Sequence, residues 1–268
     1  MVSIISALYK SERYLARYLL RARSFAKYLS EKRFPFEIII VPTRPSPNEL
    51  VLLEAVKNEP WCKILPFDEL GLYKAWNVGF TFARGDIMGP WNVDDIRFPS
   101  AIIEAQELAD RGADVVYFPF TLKRYITLGP ISFPLITRKV EGEVLHFEKR
   151  KFETTMTAGP HFMFSKRAYK NTGPFDEQFK IAGDFDWCAR AAAMDLKFSL
   201  AKEFSGVFRV DGKGLSAGAN RTLQAENNII YLRHNAKEKI SAGLETIMDS
   251  YQVGKLKING QWQDINSF

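Results

Sequence analysis

Over the first 120 residues, apolar runs of strand length alternate with stretches of helical periodicity, and this alternation narrows the possible folds more than any other feature of the chain. Val2 to Leu8 reads as a buried strand, Ser11 as the cap of an amphipathic helix, and Phe36 to Val41 as a second buried strand. The proline-rich turn VPTRPSPNEL leads into a helix from about Asn48. Trp61 to Leu65 predicts a third strand and Leu72 to Ala83 a helix. Asp86 to Val93 predicts a fourth strand that ends on the pair Asp94 and Asp95, and a helix over Ser100 to Arg111 precedes a strand over Asp114 to Phe120. Strand, helix, strand in repetition predicts an α/β fold with a mostly parallel sheet and helices on both faces. Right-handed crossovers then line up the carboxyl ends of the strands along one edge, where such sheets bind ligands.

The second half loses this rhythm. Residues 121 to 158 carry short, mixed and charged pieces, among them Lys149, Arg150 and Lys151, and read as irregular strands with a mobile loop. Helices are expected at Ser165 to Asn171 and Phe185 to Met194, strands at Lys197 to Leu200 and Phe204 to Val210, and a polar helix from Asn220 to about Ala236. In KLKINGQWQD, Asn259 and Gly260 sit between two short alternating runs, a hairpin signal because both turn positions require positive φ. With 268 residues the chain can bury one large core. The expected division is a main domain over residues 1–235, made of halves 1–120 and 121–235, followed by an appended helix and hairpin over 236–268.

Charge and cysteine usage exclude several classes. The net charge of +6 sits entirely in residues 1–33, where Lys10, Arg13, Arg17, Arg21, Arg23, Lys27, Lys32 and Arg33 face only Glu12 and Glu31. The remainder is neutral and carries no nucleic-acid-reading motif, so a nucleic-acid partner is not expected. Leu15, Tyr18, Leu19, Ala22, Phe25 and Leu29 recur at helical spacing, with Arg13, Arg17 and Arg21 forming a ridge on the helix within residues 11–33. That ridge suits peripheral contact with anionic lipid at the inner face of a membrane, or simply a solvated face of a helix packed on a sheet. Cys62 and Cys188 have neither metal-ligand nor CxxC spacing and read as reduced thiols of a cytoplasmic protein. The apolar runs fall well short of the ~20 residues of a membrane-spanning helix, and the start at Val2 lacks the basic region of a secretory signal.

The chemistry concentrates in GLYKAWNVGFTFARGDIMGPWNVDDIRFP, residues 71–99. A buried strand ending in Asn92, Val93, Asp94 and Asp95 delivers oxygen ligands to the sheet edge, which suits a hard divalent cation. A turn or helix cap is the plainer role of such a pair. Taken with its surroundings, the segment resembles glycosyltransferase family 2 of the GT-A fold. There a helix with an Arg-Asn-x-Gly core, here Trp76 to Gly79, a Gly-Asp turn, and a strand ending in Asp-x-Asp-Asp follow in the same order. VSIISALYKSERYL resembles the family's first strand and loop along the nucleoside. GPHFMFSKRAYKNTGPFDEQFKIAGDFDWCARAAAMDLK, residues 159–197, resembles its acceptor segment, and the likeness spans about residues 1–235.

The resemblance implies an inverting transfer from a nucleoside-diphosphate sugar to a hydroxyl of a glycan or lipid-linked acceptor. Asp184 would be the general base, assisted by Mg²⁺ or Mn²⁺ at Asp94 and Asp95. Ala7, Tyr9, Thr43, Lys74, Asn77, Asn92, Asp94 and Arg209 would meet the donor nucleotide, and His161 and Trp187 the acceptor. Plain N-capping is the competing role for Asp184, and Asp186 points away from the cleft by helical geometry. Three positions depart from the family pattern. Thr43 stands where an Asp reads uracil, Asn92 replaces the first acid of Asp-x-Asp, and Asp211 replaces a His in FRVDGKGLS, residues 208–216. Asp211 could restore at the metal the carboxylate lost at Asn92. Lys213 and Arg221 could touch the diphosphate, and Trp91, Phe162 and Tyr125 could stack on a sugar, although aromatics are core residues by default. A non-catalytic sugar-nucleotide or glycan-binding protein on the same fold stays open, as does assembly into a homo-oligomer.

Overall fold

The computed structural model describes residues 1–128, 131–212 and 220–268. Its first half runs β1 (Val2–Leu8), α1 (Glu12–Glu31), β2 (Phe36–Pro42), α2 (Pro47–Glu54), β3 (Cys62–Ile64), α3 (Leu72–Thr81), β4 (Ile87–Pro90), β5 (Ile96–Arg97), α4 (Pro99–Asp110) and β6 (Val115–Tyr117). There follow β7 (Phe120–Leu128), β8 (Ile131–Val140), α5 (Lys149–Thr154), β9 (Met163–Ser165), α6 (Lys166–Thr172), α7 (Gly183–Ala193), β10 (Phe198–Leu200) and β11 (Gly206–Val210). The chain closes with α8 (Arg221–Arg233), α9 (Glu245–Met248), β12 (Lys255–Ile258) and β13 (Gln261–Asp264).

Seven strands form the central sheet in the order β10-β6-β9-β4-β1-β2-β3. Its pairs are parallel except where β9 lies antiparallel between β4 and β6. Strand alternation sends Ile4, Ile38 and Ile40 to one face, where they pack with α1 and α4. Ile5, Ile39 and Val41 point to the other, against α3 and α7. Both faces are therefore covered, as the near-continuous apolar runs of the first half require. Ser46 caps α2 in a reciprocal capping box with Glu49, so that helix starts one residue earlier than the turn chemistry suggests. Ser11 occupies the N-cap position of α1, but its hydroxyl accepts from the Tyr9 amide and not from the helix.

Residues 121–158 depart from expectation. In place of irregular strands and a mobile loop, β7 and β8 form a long antiparallel hairpin in a second sheet, ordered β5-β11-β7-β8. The predicted strand over Asp114 to Phe120 is divided between the two sheets around Pro119, which has no amide hydrogen to continue a ladder. Alternation failed as a signal here because Phe133 to Lys139, along the sheet's outer strand, are exposed whichever way they point. The C-terminal hairpin forms as predicted, with positive φ at both Asn259 and Gly260. It docks on the main body, since the Lys257 amide donates to Asp176 Oδ1 at 2.9 Å and the Glu177 amide to the Lys257 carbonyl at 2.9 Å. Cys62 and Cys188 carry free thiols. Among the described residues, no helix is long and apolar enough to cross a membrane.

Candidate active site

The carboxyl ends of β1 and β2 open into a cavity of about 500 Å³ lined by Tyr9, Lys10, Glu12, Arg13, Arg44, Ser46 and Glu49. Tyr9 lines this cavity as expected of a donor contact. Ala7 is half-buried against the core behind it. Thr43 is buried, with its amide donating to the Leu8 carbonyl at 2.7 Å, so it stiffens the strand end while Arg44 and Ser46 face the open space. Lys74 pairs with Glu69. Asn77 is a buried bridge: its amide nitrogen donates to the Phe175 carbonyl at 2.8 Å, and its oxygen accepts from the Phe175 amide and the Tyr169 hydroxyl. That geometry corrects the expectation of a nucleotide contact, because both ends of the Asn77 amide are spent on fixing the acceptor segment to α3.

β4 stops at Pro90, and the acids follow in a turn closed by the Asp95 amide donating to the Asn92 carbonyl at 3.1 Å. Asp94 stays half-buried, and burial, reinforced by the charges of Asp95 and Asp211, pushes its carboxyl up to about 7 despite Arg13 nearby. Asp95 turns inward and is fully buried. Its Oδ1 accepts from the Arg209 amide at 2.9 Å, while Oδ2 lies 3.5 Å from Nε2 of the buried His161. Burial raises Asp95 to about 7, although the Arg209 amide, the Asn92 side chain, Arg21 and Arg97 all favour its charge. Asn92 therefore serves the acidic turn itself.

Asp211 is also taken up locally. It accepts from the Tyr14 hydroxyl and from Arg13 Nη2 at 3.2 Å, and Arg209 Nε lies 3.5 Å away. Among the described residues, no group of three or more His, Cys, Asp or Glu side chains converges as a metal site. The expected trio of Asp94, Asp95 and Asp211 is thus not assembled, since Asp95 faces the core and Asp211 faces basic partners. Asp94 stays half-buried beside them. The ridge on α1 runs into this same cluster: Arg13 reaches Asp211, and Arg21 donates to the Asp95 carbonyl at 3.2 Å. Arg209 stacks on Tyr125, its guanidinium carbon 3.8 Å from the ring centre, so Tyr125 supports a cation. Lys213 and Ser216 lie outside the described residues, and Arg221 donates to the Gly243 carbonyl.

Asp184 occupies the first turn of α7, whose N-terminus lies at the carboxyl edge because the helix feeds the parallel strand β10. Topology thereby puts Asp184 and the turn after β4 on the same edge of the sheet. Asp184 is half-buried, its Oδ1 accepting from the Phe185 amide at 2.8 Å and the Tyr73 hydroxyl at 3.3 Å. Burial raises its carboxyl to about 6 against these two hydrogen bonds. A side chain on Gly183 would meet the Tyr73 ring at 2.6 Å, which explains a glycine immediately before the acid. Asp186 points into the protein as helical geometry predicts, pairing with Arg190 at 2.9 Å and with Arg233.

Two expected acceptor contacts lie elsewhere. Trp187 is fully buried, donates to the Gly173 carbonyl at 2.9 Å and packs against Phe164, Phe175 and Phe162, which is also buried. Trp91 is likewise a core residue, against Tyr18 and Phe25. His161 bonds Ser205 through Nδ1 at 2.9 Å and supports Asp95 from below, and burial keeps its basicity well below the usual histidine range. Sequence reasoning missed Tyr73 and Glu226, which hold the Asp184 loop, and Arg233. The signal for the last two was present: on α8, Glu226 and Arg233 share a face with the buried Ile229 and Ile230.

Comparison with known proteins agrees with this architecture. The family model described as Glycosyl transferase family 2 matches residues 3–173. The undecaprenyl-phosphate 4-deoxy-4-formamido-L-arabinose transferase of Yersinia enterocolitica is 30% identical over 118 residues, which make up 43% of this chain and 35% of the relative, so the chain spans about a third of that protein. Among solved structures, S. aureus TarS 1-349 in complex with UDP is 19% identical at a TM-score of 0.60, over 94% of this chain and 72% of that one. The mannosyltransferase PcManGT from Pyrobaculum calidifontis, in complex with GDP-Man and Mn²⁺, is 15% identical at a TM-score of 0.60, over 93% and 68%. These likenesses establish the fold as GT-A, with a central, mostly parallel sheet. The chain belongs to glycosyltransferase family 2, the nucleotide-sugar-dependent glycosyltransferases.

Proposed function

We propose that this chain transfers a sugar from a nucleoside-diphosphate sugar to a hydroxyl of a glycan or lipid-linked acceptor, by one displacement that inverts the anomeric carbon. The observation that carries this reading is Asp184, a half-buried carboxyl at the sheet's ligand edge, held by Tyr73 and raised to about 6. A carboxyl in that range is ionised at neutral pH yet more basic than an exposed Asp, as a general base should be. The acceptor oxygen forms its bond to the anomeric carbon as the bond from that carbon to the diphosphate oxygen breaks. The acceptor proton passes to Asp184, and the electron pair leaves with the nucleoside diphosphate.

Arg13 and Lys10, lining the cavity at the end of β1, are placed to attract the donor's diphosphate. Asp94 fits a divalent cation: it is half-buried, and the charges of Asp95 and Asp211 hold it in a state that a cation would relieve. Mg²⁺ or Mn²⁺ held there would supply positive charge for the departing diphosphate.

The test is Asp184→Asn, which keeps size and hydrogen-bonding capacity but cannot take the proton. Turnover of UDP-N-acetylglucosamine or GDP-mannose, followed as nucleoside diphosphate release with Mn²⁺ present, should fall by about 10²–10⁴-fold while nucleotide binding persists. In the parent, the rate should fall as pH drops through about 6, where Asp184 takes up a proton. Parental turnover in the variant would return Asp184 to a purely structural role, and nucleotide binding without turnover in the parent would favour a binding protein on the same fold.

A further inference from the structure

Ala182, immediately before α7, has no side chain able to cap the helix, and no cap hydrogen bond is made there. The preceding backbone is held instead by a residue far along the chain. Glu226, fully buried on α8, accepts four hydrogen bonds. Its Oε1 receives the Lys180 amide at 2.7 Å and the Tyr251 hydroxyl at 2.8 Å, and its Oε2 receives the Ile181 amide at 2.9 Å and the Ala182 amide at 2.7 Å. The carbonyl of Ile181 accepts from the Tyr73 hydroxyl, which also reaches Asp184 Oδ1. Both polar sides of the short loop ahead of Asp184 are therefore fixed, its amides by Glu226 and a carbonyl by Tyr73.

A neutral side chain could not replace this carboxylate. Three consecutive amides and a phenol converge on four acceptor sites, the full capacity of an ionised carboxylate, whereas an amide side chain would turn a donor toward two of them. Leaving buried amides unsatisfied is costly, so the loop would shift. We propose that Glu226 is a positioning residue for the transfer reaction: from α8 it holds the loop that aims Asp184 at the acceptor, with Tyr251 tying the C-terminal segment into the same clamp. The proposal rests on the reading of Asp184 as the base. It gives the appended segment after residue 235 a part in positioning the base through Tyr251. Among the described residues, the titratable groups that interact with Asp184 include Tyr73 on α3, Glu226 on α8 and Cys188 on α7 itself, and of these Glu226 adds negative charge that favours the protonated acid.

Glu226→Gln tests this beside Asp184→Asn, with nucleoside diphosphate release from UDP-N-acetylglucosamine and GDP-mannose in Mn²⁺ as the rate assay. A loop displaced by about an ångström should cost kcat about 10–100-fold. Donor KM and the binding of UDP and GDP should stay near parental values, and Glu226→Asp should recover part of the loss. The carboxyl titration of Asp184, followed by ¹³C NMR, needs no donor and should move to lower pH in Glu226→Gln as the neighbouring charge is lost. Parental kcat and an unmoved titration, with Asp184→Asn inactive, would overturn the positioning role and leave Asp184 as base. Full activity in Asp184→Asn would overturn both. Should Glu226→Gln not fold, Tyr251→Phe carries the test: it removes one of the four donors and should lower kcat severalfold while speeding hydrogen exchange at the amides of 180–182. Parental kcat and exchange in Tyr251→Phe would then sink the proposal.

Discussion

The turn after β4 and the first turn of α7 each present two acids, and in each one acid faces the ligand edge while the other is buried. Asp94 and Asp184 are the half-buried members, Asp95 and Asp186 the fully buried ones. Burial pushes both inner acids toward protonation, and the difference between them lies in their partners. Asp186 faces the guanidinium groups of Arg233 and Arg190, whose charges outweigh burial and hold it below the usual carboxylate range. Asp95 faces His161, kept neutral by its own burial, and a backbone amide, so it rises to about 7. One inner acid is thus a permanently charged anchor, and the other can hold its proton near neutral pH.

The sharpest way to break this contrast is Asp186→Ala. It strands Arg190 and Arg233 in the interior and should destabilise the protein by about 3–5 kcal/mol, read as a lowered midpoint in urea unfolding. An unchanged midpoint would mean that the arginines find other partners, with Asp176 at 2.8 Å from Arg233 the nearest.

Asp95→Asn probes the other inner acid through pH. A carboxyl raised on folding keeps a proton that the unfolded chain has released, so its stabilising contribution is complete below about pH 4. That contribution is lost as pH rises toward about 7. Asp186 runs the other way: its contribution is present above the unfolded carboxylate pKa and is lost as pH falls through its lowered folded value. The amide variant carries no such charge, so its stability relative to the parent should improve between pH 5 and pH 8 by about 1–3 kcal/mol in matched urea titrations. A gap that does not change with pH would place the Asp95 carboxyl in the ordinary range.

The smallest effect on stability is expected at the outer acid. At pH 5, where its raised carboxyl still keeps its proton, Asp94→Ala should leave unfolding within about 0.5 kcal/mol of the parent, since among the described residues its side chain anchors no other element. The same change should abolish the tightening of UDP or GDP binding by Mn²⁺, measured by calorimetry. Equal tightening in variant and parent would move the cation away from Asp94.

How far these roles could be read in advance differs between the halves. In residues 1–120 the central strands β1, β2 and β4 are buried on both faces and the helices on one, so apolar runs and periodicity locate nearly every element. The fourth predicted strand overruns the most at its end, because Trp91 and Val93 continue the apolar pattern into a turn that begins after Pro90, and the two-residue strand β5 carries no such signal. In residues 121–158 the β7–β8 hairpin lies partly outside any core, and its interleaved charges and apolar residues left no pattern to follow. Among the site residues, resemblance and spacing marked Asp94 and Asp184, while the burial of Asn77, His161 and Trp187 depended on elements that approach from elsewhere in the chain.

By itself, the sequence determined the parallel α/β architecture, the family and the segments that bring acids to the ligand edge, because these follow from local periodicity and short motifs. Tertiary structure alone decided which acid of each pair turns inward. That choice depends on which group arrives from a distant element: Arg233 on α8 for Asp186, and His161 just ahead of β9 for Asp95. A buried carboxyl takes its charge state from the partner it meets, and those partners stand 47 and 66 positions away along the chain.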